Sequence, residues 1–169
     1  MKNLLVLVMA LLLFIPLART AFAAPVPDVT PNVAQKITRL PFKGTIESTE
    51  TYVTISPMMS VTASGSGNAT QLGQFTVHYE REVNLLDLSG SGSAYFTGIT
   101  GDSIQAEGIG QAVPNRTPDM FNVVEIYTIT GGTGRFTGAS GTITVKRLIS
   151  ITTGAAASTF EGYILMPWE

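Results

Sequence analysis

Glu125 is the residue whose type and setting could do chemistry in this chain. It lies in a predicted β-strand in which every second neighbour is apolar or aromatic. A carboxylate on an inward apolar face could act as a general acid or base, or orient a bound molecule. Tyr79 and Tyr127 are the hydroxyl donors expected beside it. The alternative is that Glu125 lies on an outer face or at the mouth of the fold, and that the tyrosines are core residues with hydroxyls at the rim.

The composition leaves few other kinds of catalytic site. The chain has no cysteine and a single histidine, His78, so thiol catalysis and a zinc-binding histidine pair are both excluded. His78 is predicted on the outer face of its strand, because Thr76 and Glu80, its neighbours in phase, are polar. This placement disfavours a Ser-His-Asp site. We therefore expect no metal and no cofactor.

The elements that would position Glu125 are β-strands. From Phe42 to the C-terminus, polar and apolar residues alternate and turn signals recur about every 8 to 12 residues, which is typical of an all-β sandwich or barrel. About eight strands are predicted. The apolar phase reverses before Val53, and a two-residue period shifts only where a residue is inserted or the strand breaks. A bulge or bend is therefore predicted between Ser48 and Tyr52.

The predicted strands differ in the size of their inward residues. Three have faces of glycine, alanine and valine, and others carry aromatic rings. The interior of an eight-stranded barrel is just wide enough to be filled by side chains or to hold one small ligand. Small faces thus favour an apolar cavity, unless the rings lie over the glycines and fill it. The residues predicted to line such a cavity are Phe75, Tyr79, Phe96, Phe121, Tyr127 and Phe160.

A glycine-rich segment, Thr130 to Gly141, separates two of the predicted strands. Its glycines permit backbone conformations that other residues avoid, so a tight corner plugged by Phe136 is predicted. A phosphate-binding loop is disfavoured, because a Walker-type loop needs Gly-Lys-Ser/Thr followed by a helix, and here a strand follows. The structural residues of the corner are Gly131, Gly132, Gly134, Phe136, Gly138 and Gly141.

This corner resembles the Gly-Gly-x-Gly-x-Phe-x-x-Ala-x-Gly motif of the allene oxide cyclase and dirigent-like barrels. Its own sequence is Ile-Thr-Gly-Gly-Thr-Gly-Arg-Phe-Thr-Gly-Ala-Ser-Gly. The resemblance implies an eight-stranded antiparallel barrel with a central apolar cavity, and it extends loosely from Phe42 to the C-terminus. Some members are cofactor-free cyclases or radical-coupling guides. The matching residues are mainly the turn glycines and Phe136, so no catalytic residue of the family is transferred to this chain.

The N-terminal part of the chain is predicted to lie outside the barrel. Residues 1–23 combine Lys2, an apolar run and Ala21-Phe22-Ala23, the features of a secretory signal peptide cleaved near Ala23. Residues 24–41 contain four prolines with little periodicity and are predicted to be an extended leader. The barrel domain is then 42–169, and the protein is expected to be secreted or periplasmic.

Charge limits the expected partners. After removal of the signal peptide, eight basic and twelve acidic residues give a net charge of −4, which disfavours nucleic acid. No integral membrane contact is expected, because the predicted outer faces hold residues such as Glu107 and Lys146 that a lipid-facing band excludes.

These observations predict a secreted barrel that binds a small apolar molecule in its lumen. One alternative is a cofactor-free cyclase or isomerase that uses the same cavity with Glu125. The other is a structural or interaction protein with a filled barrel, for which a homo-oligomer is a compatible arrangement.

Overall fold

The computed structural model describes residues 36–167, and these form a closed antiparallel β-barrel. Each strand pairs with the next, and the first pairs with the last. The all-β, eight-stranded antiparallel barrel is confirmed. Residues 1–23, predicted as the signal peptide, and 24–35 of the predicted leader lie outside the described residues. The strands are β1 (Ile37–Ile55), β2 (Met58–Ala69), β3 (Gly73–Asn84), β4 (Ser89–Gly98), β5 (Ser103–Pro114), β6 (Met120–Gly132), β7 (Ser140–Ser150) and β8 (Ala155–Pro167).

The barrel begins before the predicted boundary at Phe42. Ile37 pairs with Pro167 and Pro41 pairs with Tyr163, so residues 37–41 of the predicted leader belong to β1. The carbonyl of Pro41 accepts a hydrogen bond from Thr70 Oγ1 at 2.9 Å. A proline lacks the backbone N–H but keeps the carbonyl, so it can stand at the start of a strand that still pairs with its neighbour.

The predicted bulge between Ser48 and Tyr52 is wrong. β1 pairs with β2 without a register shift from Gly44 to Ile55. The inward phase continues through Ser48 and Glu50, which are buried although they are polar. The apolar residues after them point outward. The apparent phase change in the sequence therefore marks a polar level of the lumen and not a break in the strand.

The two ends of the barrel are distinct. Consecutive antiparallel strands run in opposite directions, so the loops after β2, β4 and β6 lie at one end and those after β1, β3, β5 and β7 at the other. We call these the closed end and the mouth. At the closed end Leu72, Phe136 and Ala139 are buried in the core. Within residues 36–167, no helix is long and apolar enough to cross a membrane.

The glycine corner joins β6 to β7 at the closed end. It contains one turn of 3-10 helix, Gly134–Phe136, and Phe136 is buried beneath it. Gly134 and Gly138 have φ values of 58° and 71°, the left-handed region that favours glycine. A Cβ at Gly134 would also collide with the carboxylate of Asp102. These two glycines let the chain turn back and insert Phe136 under the barrel end.

Aromatic rings fill the half of the lumen above this corner. The Phe42 and Phe160 centroids are 5.1 Å apart, and those of Phe75 and Phe96 are 5.5 Å apart. Phe96 also lies 6.0 Å from Phe160. These separations are typical of favourable aromatic pairs. Four phenylalanines from β1, β3, β4 and β8 therefore meet across the barrel and leave this half packed; we call them the aromatic cluster.

Candidate functional site

Four charged side chains meet inside the barrel between the aromatic cluster and the mouth. They are Glu50 on β1, Arg81 on β3, Glu125 on β6 and Arg147 on β7, and we call them the ionic quartet. No side chain of the quartet is more than 8% exposed. The cost of burying a charge is large unless the charge is paired and hydrogen-bonded, so the contacts among the four residues decide whether this arrangement is stable.

Each arginine of the quartet bridges both carboxylates. Arg81 donates from Nη2 to Glu50 Oε1 at 3.1 Å and from Nη1 to Glu125 Oε1 at 3.0 Å. Arg147 donates from Nη1 to the same Glu50 oxygen at 2.5 Å and from Nη2 to Glu125 Oε2. The result is a closed ring of four ion pairs in which the charges alternate. The formal charges cancel, and every charged group faces two of opposite sign.

Three tyrosines surround the quartet. Tyr52 donates its hydroxyl to Glu50 Oε2 at 3.3 Å, and Tyr127 donates to Glu125 Oε1 at 3.4 Å. The ring of Tyr79 lies under both guanidinium groups, with its centroid 4.8 Å from Arg81 Cζ and 5.1 Å from Arg147 Cζ. Such stacking is a favourable cation–π contact in a desolvated site.

Burial and neighbouring charges shift the pKa values of the three tyrosines and of Arg147. Burial, reinforced by the charge of Glu125, raises the pKa of Tyr127 to about 12. Burial also raises the pKa of Tyr52 and of Tyr79 well above the ordinary value. For Arg147, burial opposes the charge, but Glu125 and Glu50 outweigh it and raise the pKa. At neutral pH the phenols are therefore donors and Arg147 is a cation.

Glycines on β4 and β5 accommodate the long side chains of the quartet. A Cβ at Gly92 would overlap the side chain of Arg81, and a Cβ at Gly110 would overlap that of Glu125. At Gly108 it would overlap the ring of Tyr127. The small faces predicted to leave empty space thus serve mainly as surfaces on which long side chains lie, which is the close-approach role of a strand glycine.

A cavity of about 370 Å³ lies between the ionic quartet and the mouth. The quartet forms its floor together with Tyr52, and the walls are largely apolar. Leu85 and Ile151, which lie in the loops at the mouth, also line it, so the cavity reaches that end of the barrel. Small-molecule sites are typically about 300 to 1,000 Å³ and combine apolar walls with a few polar groups. The apolar wall residues include Met59, Val61, Val83, Leu88, Phe121 and Ile149.

The structure divides the six residues predicted to line a cavity, together with the catalytic candidate Glu125, into three groups. Phe121 and Glu125 line the cavity. Tyr79 and Tyr127 are buried and contact the quartet without lining the cavity. The remaining three, Phe75, Phe96 and Phe160, belong to the aromatic cluster in the packed half.

Of the two placements that the sequence left open, the structure has Glu125 buried, but its surroundings differ from the apolar ones expected on an inward face. Two guanidinium groups and a phenol face it. Three residues of the site, Glu50, Arg81 and Arg147, were not predicted. The signal was present, because Arg81 shares its phase with Tyr79, and Arg147 shares its phase with two buried residues, Ile143 and Val145. At Glu50 the wrongly predicted bulge concealed the phase.

The single histidine lies on the outer surface. Ser64 Oγ is 3.4 Å from His78 Nδ1, and Glu80 Oε1 is 3.4 Å from His78 Nε2. These residues lie side by side on paired strands β2 and β3, whose backbone N–H groups are used in the ladder. The side chains of His78 and Glu80 are 43% and 67% exposed, so this group lies on an open surface and not in a cleft. Among residues 36–167, no three side chains of the kinds that bind metals come together.

Comparison with known proteins relates the chain to one fold. No family model matches it, and no curated protein matches it. Solved structures do match, among them two pterocarpan synthase dirigent proteins. GePTS1 superposes with a TM-score of 0.53 at 15% identity, over 88% of this chain and 99% of its own. PsPTS1 gives 0.54 at 13% identity, over 79% of this chain and 97% of its own. Both solved structures are covered almost completely, so the chain has the fold of these dirigent-like β-barrels.

Proposed function

We propose that this protein binds one small, predominantly apolar molecule in the mouth half of its barrel. The observation that carries the proposal is the cavity of about 370 Å³ with apolar walls above a buried polar floor. Enclosed apolar surface provides most of the affinity for such a ligand, and a few fixed polar groups orient it. A filled barrel, the structural alternative, accounts for the closed half but not for this space.

The similarity of fold is consistent with this proposal and does not name the ligand. The two similar structures are called pterocarpan synthases, and identities this low transfer the architecture only. The proposal for this chain therefore rests on its own residues.

A ligand-dependent shift of the melting temperature tests the proposal. A panel of fatty acids, their neutral derivatives and phenolic compounds should contain members that raise the temperature. At a ligand concentration 100 times Kd, binding stabilises the folded state by about 2.7 kcal/mol. A panel without any shift, in a protein that unfolds cooperatively, would leave the filled barrel as the better description.

A blocked cavity is the matched control. Ala112 lines the cavity on β5, and Ala157 on β8 is exposed on the outer surface. Ala112→Phe should abolish the shift, whereas Ala157→Phe should retain it. A shift that survives Ala112→Phe would place the binding elsewhere.

A cofactor-free cyclase or isomerase is the second candidate, favoured by the position of Glu125 on the cavity floor. Glu125 accepts hydrogen bonds from Arg81, Arg147 and Tyr127, which leaves about one of its four acceptor sites for a substrate proton. For a ligand found by thermal shift, product formation is followed by mass spectrometry. Glu125→Gln should abolish conversion and change affinity little if the carboxylate does chemistry. Conversion that persists in this variant would exclude that role.

We also propose export from the cytoplasm, on the basis of the predicted signal peptide. The expected N-terminus of the exported protein is Ala24. Intact mass measurement of the protein recovered from periplasm or medium checks this, and a full-length mass would contradict it.

A further inference from the structure

We propose that the ligand is an uncharged molecule bearing a hydrogen-bond-accepting oxygen, and that the ionic quartet discriminates against the carboxylate of the same skeleton. This inference rests on the proposed function, because it concerns the occupant of the same cavity. Carbonyl, ether and hydroxyl compounds belong to the class that it predicts. Two observations carry it: the balance of charge on the floor, and the surplus of donors over free acceptors.

The charges on the floor cancel. The charged residues that line the cavity are Glu50, Glu125, Arg81 and Arg147, two of each sign. Each guanidinium already contacts both carboxylates, so neither cation is left for a ligand. A third carboxylate would add an unbalanced negative charge to a buried site, and burial of an unpaired charge is strongly unfavourable. A neutral ligand carries no such penalty.

The floor of the cavity has more hydrogen-bond donors than free acceptors. All four carboxylate oxygens of the quartet accept at least one hydrogen bond. The guanidinium groups retain donors, because each carries more N–H groups than the two it uses in the ring. Each carboxylate has about four acceptor sites and already uses three. Donors on the floor therefore outnumber the free acceptor sites, which favours a ligand group that accepts hydrogen bonds.

Tyr52 is the donor best placed to respond to a ligand. It lines the cavity, whereas Tyr79 and Tyr127 do not. Its hydroxyl is 3.3 Å from Glu50 Oε2, beyond the ordinary length of an O–H···O bond. A ligand oxygen can accept the hydrogen bond from this hydroxyl in place of Glu50 Oε2, while Glu50 Oε1 keeps the hydrogen bonds from Arg81 and Arg147.

The test uses four probes with one hydrocarbon chain and different ends. They are a medium-chain fatty acid, its methyl ester, the corresponding alcohol and the parent alkane, measured by calorimetry at neutral pH, where the acid is ionised. We expect the ester and alcohol to bind at least about tenfold more tightly than the acid, since tenfold corresponds to about 1.4 kcal/mol. We expect the alkane to bind more weakly than the ester, because it leaves the donors unpaired.

The outcomes separate this inference from the proposed function. Equal or tighter binding of the acid overturns the neutral-ligand inference and leaves the binding function intact. An alkane as tight as the ester overturns the acceptor requirement. Failure of every probe, and of the wider panel, overturns the binding function and this inference with it.

A charge variant tests the cause of the selectivity. Glu50→Gln removes one negative charge from the floor, so the acid should gain at least about tenfold relative to the ester. Glu47→Gln is the matched control, because Glu47 lies on the same strand but is exposed on the outer face, and it should leave the ratio unchanged. An unchanged ratio in folded Glu50→Gln would show that the quartet does not set the preference. The probe series on the unmodified protein decides independently if this variant does not fold.

Discussion

The closed half and the mouth half of the barrel use the same strands in different ways. In the closed half, Phe42, Phe75, Phe96 and Phe160 cross the lumen and pack against each other. In the mouth half, the ionic quartet occupies the axis, and its members hold one another in place. The phenylalanine rings contact one another and fill the lumen in the closed half. In the mouth half the quartet side chains contact one another at one level, and a cavity remains between them and the mouth.

Glycine has related roles in the two halves. A Cβ at Gly67 would collide with the ring of Phe75, and one at Gly110 would collide with Glu125. At both positions the strand has no side chain, so a long side chain from the neighbouring strand can pack directly against its backbone. The presence of glycine therefore does not decide whether the lumen is open. The side chain that packs on the glycine decides whether the lumen is open. The ring of Phe75 contacts further rings that fill the lumen, whereas the carboxylate of Glu125 contacts the paired arginines and a phenol.

Breaking the quartet should have the largest effect, because it changes stability and binding together. Arg147→Met leaves Glu50 and Glu125 with Arg81 as their shared cation, and loss of one partner of a buried ion pair costs about 3 to 5 kcal/mol. Equilibrium unfolding in urea measures this cost. Lys146→Met, on the exposed side of the same strand, should change stability by less than about 0.5 kcal/mol. Equal effects from the two variants would contradict a structural role for the quartet.

Removing a ring from the aromatic cluster should lower stability without affecting binding. Phe96 is fully buried and contacts Phe42, Phe75 and Phe160, and Phe→Ala in a core typically costs about 3 to 5 kcal/mol. Since Phe96 does not line the cavity, affinity for a cavity ligand should stay within about threefold, or 0.7 kcal/mol. Ala substitution of the outward Tyr95 is the control. A large loss of affinity in Phe96→Ala would show that the two halves are not independent.

A methyl group added beside Glu125 should have an intermediate effect on stability. Gly110→Ala forces the new Cβ against the side chain of Glu125, and overpacking of this kind costs about 1 to 3 kcal/mol. At Gly131, an added Cβ would have no atom within 4 Å, so Gly131→Ala should be nearly neutral. Thermal unfolding of both variants gives the comparison. If Gly110→Ala were as stable as Gly131→Ala, the floor would have to be more mobile than its contacts indicate.

Alkaline pH should produce the smallest effect, confined to the mouth half. The pKa of Tyr127 is raised to about 12, against about 10 in an unfolded chain. The folded state therefore holds this proton more tightly. Its contribution to stability is complete below about pH 10 and declines as pH rises through about 12. Urea unfolding at several alkaline pH values, with phenolate absorbance, measures the decline. Tyr127→Phe should make the decline shallower and leave the share that comes from Tyr52 and Tyr79, whose pKa values are also raised, whereas Tyr95→Phe should not change it. Equal slopes in the two variants would exclude a contribution from Tyr127.

The local sequence pattern was sufficient to predict much of the fold. Alternation predicted the strands and the outward position of His78, and the glycine spacing predicted the corner before β7. Each of these depends on the two-residue period or on turn chemistry, which act between neighbours in the chain. Alternation left open whether Glu125 points inward or outward. Reliance on the local pattern also caused the error in β1, where the inward polar residues Ser48 and Glu50 were interpreted as a break in the strand.

Only the tertiary structure decided the site. Glu50, Arg81, Glu125 and Arg147 stand on four different strands, up to 97 residues apart, and closure of the sheet brings them to one level. Each charge alone is unfavourable inside a barrel and becomes stable only with its partners. Closure and register are long-range properties, so no local pattern reveals that these charges meet, or that a cavity remains above them.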